Sequence, residues 1–246
     1  NEGSINLGSI NLVPSSFDDI LIGEIDTNLA VKWAKLITAF GASDSKHTTQ
    51  TKNMDYINGS LYLSGMMKGG FAPYGEEEAR IASKSTPLNG FVIKCDASNG
   101  EWLGGVSADE QGIGGYFGVA KGKENNLYAY GYSWATPNKG ICLTTIDESS
   151  WEKTEKIALI TETGMGTAWS CLADGTNFYS FSRGNKAVNF YNSEFTLPAP
   201  TGWGMFISSW KLDDIATGIE TPNLAGNDTR IYGVQGGVVV NTEEPI

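Results

Sequence analysis

An all-β fold built from repeated modules is predicted by three observations. Short apolar runs rich in β-branched and aromatic residues are separated by Gly, Asn, Asp and Ser turns. No long window places apolar residues at i, i+3, i+4 and i+7 between capping residues, so amphipathic helices are not expected. The apolar runs also repeat along the chain. Composition agrees: 31 of 246 residues are glycine, about 13% where roughly 7% is usual, which suits many tight turns. With 40% hydrophobic and 11% aromatic residues the chain is too apolar for a disordered segment. It is also long enough to bury a core without metals or disulfides.

The first repeated element is an apolar strand ending in Asp: DILIGEID (19–26), GFVIKCD (90–96), GICLTTID (140–147) and GMFISSWKLD (204–213). Asp26, Asp96, Asp147 and Asp213 are spaced by 70, 51 and 66 residues. After the first three, a polar turn leads into a return strand with a tryptophan at or near its start, which predicts a hairpin. An aspartate in that place accepts hydrogen bonds from turn amides, so its recurrence reads as structural. The second element is NGSLYLSG (58–65), NNLYAYG (125–131) and GTNFYSFS (175–182), with Leu61, Leu127 and Phe178 spaced by 66 and 51. The third is GIGGYFGVAKG (112–122) and GMGTAWSCLADG (164–175), with a weaker match at 40–56. No helix is expected after Gly112 or Gly164, so these glycines read as turns and not as a phosphate loop.

Each unit thus offers about four short strands in about 50 to 70 residues, too few to bury both faces of its own sheet, so neighbouring units are expected to stack. Radial stacking of four-stranded blades leaves only short edges exposed. The predicted architecture is therefore a β-propeller or propeller-like array over residues 1–215.

The run N-G-x-L-Y-x-x-G followed by x-F-V-x-K-x-D-x-x-G-x-x-x-W, clearest over residues 58–106, resembles the β-propeller repeats common in bacterial secreted proteins, the SBBP-type repeats. Looser copies lie at 125–160 and 177–213, and residues 17–57 fit the hairpin part of a unit. Since that family usually closes with more blades, about four visible units imply a truncated chain or a smaller closure. Residues 216–229 read as a linker. The strands of 230–246, R-I-Y-G-V-Q-G-G-V-V-V-N-T-E-E-P-I, resemble the start of the C-terminal sorting domain of the type IX secretion system of Bacteroidetes, cut short here. The alternative is a closing strand of the propeller. The chain begins at Asn1, not Met, so it is read as processed or as a fragment, and the lack of a signal peptide says nothing of location. The resemblance implies an extracellular or outer-membrane surface protein.

Acidic residues exceed basic ones by 28 − 17 = 11, which opposes nucleic acid and anionic membrane surfaces as partners. No run approaches the roughly 20 apolar residues of a transmembrane helix. Cys95, Cys142 and Cys171 lie in apolar runs without a C-x-x-C spacing, which reads as buried reduced thiols. His47 is the only histidine, in a polar stretch, and no G-x-S-x-G elbow is present, so serine hydrolase chemistry is disfavoured. Asp18, Asp19, Asp55, Asp109, Glu110 and Asp174 are the carboxylates available for glycoside hydrolysis, all at expected turns. No catalytic residue, metal ligand or cofactor is assigned. The Asp96–Glu101 turn has the oxygen density of a calcium loop without its alternating spacing.

Residues 66–89 form the longest insertion between repeat strands, either a solvated excursion or a recognition loop. Its Phe71, Tyr74, Glu76, Glu77 and Arg80, together with Trp134, are the candidate binding residues. Trp102, Trp151, Trp169 and Trp203 are expected to pack between blades, or to stack on sugar rings where exposed. The expected function is a non-enzymatic secreted or surface protein that binds protein, peptide or glycan through propeller loops. The alternatives are an accessory component of an outer-membrane nutrient-uptake complex and a polysaccharide-acting hydrolase or lyase.

Overall fold

The computed structural model describes residues 3–14, 19–40, 50–83, 88–108, 112–122, 125–133, 140–162, 166–173, 176–185, 187–190, 196–197, 202–212, 229–234 and 237–242. Within them the fold is all-β: several small antiparallel sheets, with no closed barrel. The chain divides into two compact units, residues 1–118 and 119–246.

The first unit opens with a two-stranded hairpin, β1 (Ile5–Leu7) and β2 (Ile10–Leu12). A second hairpin joins β3 (Ile20–Ile25) to β4 (Val31–Phe40), and a third joins β5 (Gln50–Ile57) to β6 (Ser60–Met67). The β5–β6 turn is the dipeptide Asn58-Gly59, with φ of 49° and 80°, the conformation whose twist matches the flanking strands. Then come β7 (Gly70–Pro73), β8 (Ile81–Ala82), β9 (Asn89–Asp96) and β10 (Trp102–Ser107). Two four-stranded sheets result, in the orders β3-β4-β7-β8 and β10-β9-β6-β5.

Strand β11 (Ile113–Lys121) spans the boundary between units. It is followed by β12 (Asn126–Ser133), β13 (Gly140–Asp147), β14 (Glu152–Glu162), β15 (Gly166–Ala173), β16 (Asn177–Gly184), β17 (Val188–Phe190), β18 (Thr196–Leu197) and β19 (Gly204–Lys211). Their sheets run β11-β12-β13-β14-β17-β18 and β15-β16-β19. The strand pair expected over 230–246 is present as β20 (Thr229–Val234) against β21 (Gly237–Thr242). The expected linker, up to residue 228, lies outside the described residues, as does Asp213.

The sequence repeat corresponds to one recurring strand pair. β6 with β9, β12 with β13 and β16 with β19 are antiparallel neighbours, in registers that match Ser60 to Asp96, Asn126 to Asp147 and Asn177 to Lys211. One backbone bond closes the same end of each pair: Ala97 N to Gly59 O at 3.0 Å, Glu148 N to Asn125 O at 2.9 Å and Leu212 N to Thr176 O at 2.8 Å. The third sequence element supplies the first strand of each group, as β5, β11 and β15.

Residues 66–89 differ from the expected excursion. β7 and β8 leave between β6 and β9 and pair with β4, the last strand of the preceding hairpin. β17 and β18 repeat this exchange, leaving between β16 and β19 to pair with β14. Burial explains the device in the first unit. Phe71 and Ile81 extend the apolar face of β3 and β4 so that it covers Leu61, Leu63, Phe91, Ile93 and Cys95 of the next sheet, with Ile22, Ile37 and Met67 in the same cluster. In the second unit Tyr130 packs on Phe178 with ring centroids 5.4 Å apart. Its hydroxyl hydrogen-bonds Ser182, while Ser180 and Ser208 share a buried bond of 2.7 Å. Small serines on that sheet let the tyrosine ring approach.

Candidate functional site

The β7–β8 hairpin positions most of the candidate binding residues. Its turn, residues 74–80, is tied at both ends: Glu76 N donates to Pro73 O at 3.2 Å and Arg80 N to Phe71 O at 2.9 Å. Gly75, at φ 89°, takes the left-handed conformation this bend requires. Arg80 grips the Glu76 carboxylate with two donors, Nε at 2.9 Å and the terminal nitrogen at 2.5 Å. Such a pair in solvent adds little stability, but its fork geometry fixes the shape of the turn. Tyr74 is 49% exposed, and Glu77 is exposed beside it. The turn therefore displays an aromatic ring and free acidic charge on a backbone anchored in a sheet.

Phe71 is a different matter. Its side chain is fully buried and meets Phe91 edge-on, centroids 4.9 Å apart, so it supports the hairpin from the core and does not face a ligand. Trp134 lies outside the described residues, as do His47, Asp18, Asp109, Glu110 and Asp174. Among the remaining carboxylates, Asp19 accepts the Ala39 amide at 2.8 Å and Asp55 accepts the Asn53 side chain at 3.1 Å. Trp102 is half-buried against the core cluster of the first unit, as is Trp33. Trp203 is exposed, with the Arg183 guanidinium 4.5 Å from its ring centroid. Trp203 is a candidate from sequence, whereas Arg183 carries no local signal for this contact, because the two meet only once β16 and β19 pair.

Three of the four recurring aspartates, Asp26, Asp96 and Asp147, bond their own turns as expected, and Asp213 lies outside the described residues. Asp26 Oδ1 accepts the amides of Asn28 and Ala30 at 2.8 and 2.9 Å. Asp96 Oδ1 accepts the Ser98 hydroxyl at 2.6 Å and its amide at 2.7 Å, and Asp147 does the same with Ser149 at 2.6 and 2.8 Å. In the Asp96 turn, Asn99 Oδ1 also takes the Glu101 amide at 2.8 Å, so these oxygens serve the turn's own donors. Among the described residues, no group of three or more His, Cys, Asp and Glu side chains is placed to hold a metal ion. The serine hydroxyls, then the amides, hold the Asp96 and Asp147 carboxyls below the ordinary aspartate pKa. Stability from this source is present above the unfolded-state value of about 4 and is lost as pH falls through the lower folded values. Urea midpoints of the Asp96→Asn, Asp147→Asn double variant should lie below wild type at neutral pH and converge with it on acidification below about pH 4. A constant gap across that range would contradict the assignment.

These turns end in a left-handed residue: Leu29 at φ 64°, Gly100 at 72° and Trp151 at 59°. Leu29 is exposed and gains nothing from its side chain. Leu29→Asn should stabilise the protein by about 0.5–1 kcal/mol in thermal or urea unfolding, since asparagine tolerates this conformation.

Cys95, Cys142 and Cys171 are buried and outside any disulfide, and burial pushes the Cys95 thiol up to about 11, which keeps it protonated and unreactive. Among the described residues, no helix is long and apolar enough to cross a membrane. Compared with known proteins, the sequence matches no family model and no curated protein.

Proposed function

We infer that the chain is a propeller-like stack of β-modules that acts as a non-enzymatic binding protein at the cell surface or outside the cell. Its ligand is a protein, peptide or glycan held at sheet-end turns. The observation that carries this reading is the 74–80 turn, where exposed Tyr74 and Glu77 sit on a hairpin anchored by buried Phe71 and shaped by the Arg80–Glu76 pair. Aromatic rings on pre-formed backbone bind at low entropic cost, because the turn need not be ordered on contact. The location rests on the resemblance of residues 58–106 to repeats of secreted proteins.

The test is a glycan and peptide array probed with wild type and with Tyr74→Ala. We expect at least a tenfold loss of affinity in the variant with an unchanged melting temperature, because Tyr74 is not part of the core. Undiminished binding by the variant would remove the turn from the site. Fractionation of producing cells tests the location, and a protein confined to the cytoplasm would defeat that half.

A further inference from the structure

The equivalent inner strands of the three repeated sheets differ in one respect. β6 and β12 are buried on both faces, apart from Met66 and Asn126. β16 alternates instead: Phe178, Ser180, Ser182 and Gly184 are buried, while Asn177, Tyr179, Phe181 and Arg183 are partly exposed. Their neighbours across the sheet are exposed as well. Leu172 on β15 stands opposite Tyr179, and Ser209, Ile207 and Met205 on β19 stand opposite Tyr179, Phe181 and Arg183. One face of the β15-β16-β19 sheet is therefore open at its centre, on β16, as well as along β19.

That face has a definite chemistry. Tyr179 and Phe181 occupy alternate residues of one strand, which sets their origins about 7 Å apart on the same side. At the end of the strand pair Trp203 is 48% exposed, with the Arg183 guanidinium carbon 4.5 Å from its ring centroid. β15, β16 and β19 contain no Asp or Glu, and their charged residues are Arg183 and Lys211. The other three large sheets all carry carboxylates on their strands, Glu24 in one, Asp55 and Asp96 in the next and Asp147 in the third, in a chain of net charge −11. A row of rings bordered by cations and clear of carboxylates complements a ligand that presents flat apolar faces together with negative charge.

We propose that this face binds a carboxylated oligosaccharide, a short chain of uronic acid rings. The C–H faces of the sugars stack on Tyr179, Phe181 and the exposed part of Trp203. Arg183, its guanidinium plane set by Trp203, takes a sugar carboxylate in its fork of donors, and Lys211 meets a second carboxylate as a point charge. A peptide bound to a sheet adds to an edge strand through its backbone and fills pockets with alternate side chains. Here the recognising groups project from the inner strand, which favours a sugar. With at most one charge per ring, such a ligand is far sparser in charge than duplex DNA, which carries one per about 1.7 Å. Two local cations therefore suffice to hold it where the net charge would repel a nucleic acid. The site is separate from the 74–80 turn and does not depend on it.

Titration calorimetry of the whole chain tests the proposal, with oligogalacturonate, oligomannuronate and hyaluronate oligosaccharides as probes, each beside its carboxyl-reduced form. At least one carboxylated probe should bind, with its reduced form weaker by about tenfold or more, and added salt should weaken the first more than the second. Trp203→Ala and Arg183→Gln should each lower the affinity about tenfold or more. Trp203 is exposed and outside the strands, so its variant should keep the wild-type circular dichroism and melting temperature. Tyr74→Ala should bind these sugars as wild type does. Absence of heat with all three probes at millimolar concentration overturns the proposal, as does equal binding of the reduced forms. So does binding that Trp203→Ala leaves unchanged, or oligoglutamate that binds as tightly as the sugars, which would make the face a peptide site.

Discussion

Phe71→Ala should lower the unfolding free energy by about 3–5 kcal/mol, the usual cost of removing a fully buried phenylalanine. Phe71 lies on β7, fully buried, with its ring edge against Phe91 and with Ile81, Ile22 and Ile37 in the same cluster. Truncation leaves a cavity that two packed sheets cannot collapse. It also unpins β7 from β4, where Phe71 pairs with Ala39, and so frees the 74–80 turn. Binding should therefore fall in this variant together with the urea midpoint, whereas Tyr74→Ala should reduce binding alone. Equilibrium urea unfolding with array binding on the same samples separates the two. A Phe71→Ala protein as stable as wild type would mean that the hairpin is not held by the core.

Much of the fold was legible because its signals are local. The apolar run within 58–65 forms β6 and the terminal aspartates Asp26, Asp96 and Asp147 bond their own turns, each a signal that acts within a few residues, whereas the position matching Asp96 and Asp147 in the last pair is taken by Lys211 and not by Asp213. The exchange hairpins were not legible. β7 and β8 contribute four and two residues and β18 only two, too short for a period, and their partners β4 and β14 lie far away in sequence. The same gap explains the one misread site residue. Phe71 beside Tyr74 looks like a second loop aromatic, but three residues along a strand that enters the core separate a fully buried ring from a half-exposed one. Arg183 over Trp203 escaped notice for the complementary reason, being a contact made only by strand pairing.

Gly65→Ala is the other replacement expected to be severe, although one methyl group is all it adds. Gly65 lies in β6, between Thr51 of β5 and Phe91 of β9. A β-carbon there would fall 2.0 Å from the Gln50 carbonyl oxygen and 2.9 Å from the Phe91 ring. The β5–β6 register shifts between Thr51 and Asn53, next to this contact, so the closer of the two contacts belongs to the backbone path and only the second to a side chain. Alanine would recover roughly 0.5–1 kcal/mol of the intrinsic cost of glycine in a strand, but overpacking at this separation should exceed that by about 3 kcal/mol. Gly59→Ala is the informative comparison: it has open space but a φ of 80°, and should cost about 1–2 kcal/mol without disturbing the pairing of β5. Amide exchange should accordingly speed up along β5 in Gly65→Ala and not in Gly59→Ala. The Phe91 ring cannot yield while Phe71 rests against it, so Phe71→Ala should relieve part of the clash. The double variant Phe71→Ala, Gly65→Ala should then lose less than the sum of its parts by about 1 kcal/mol. Strict additivity, or a Gly65→Ala protein within about 0.5 kcal/mol of wild type, would show that the β5 edge absorbs the methyl group by moving away.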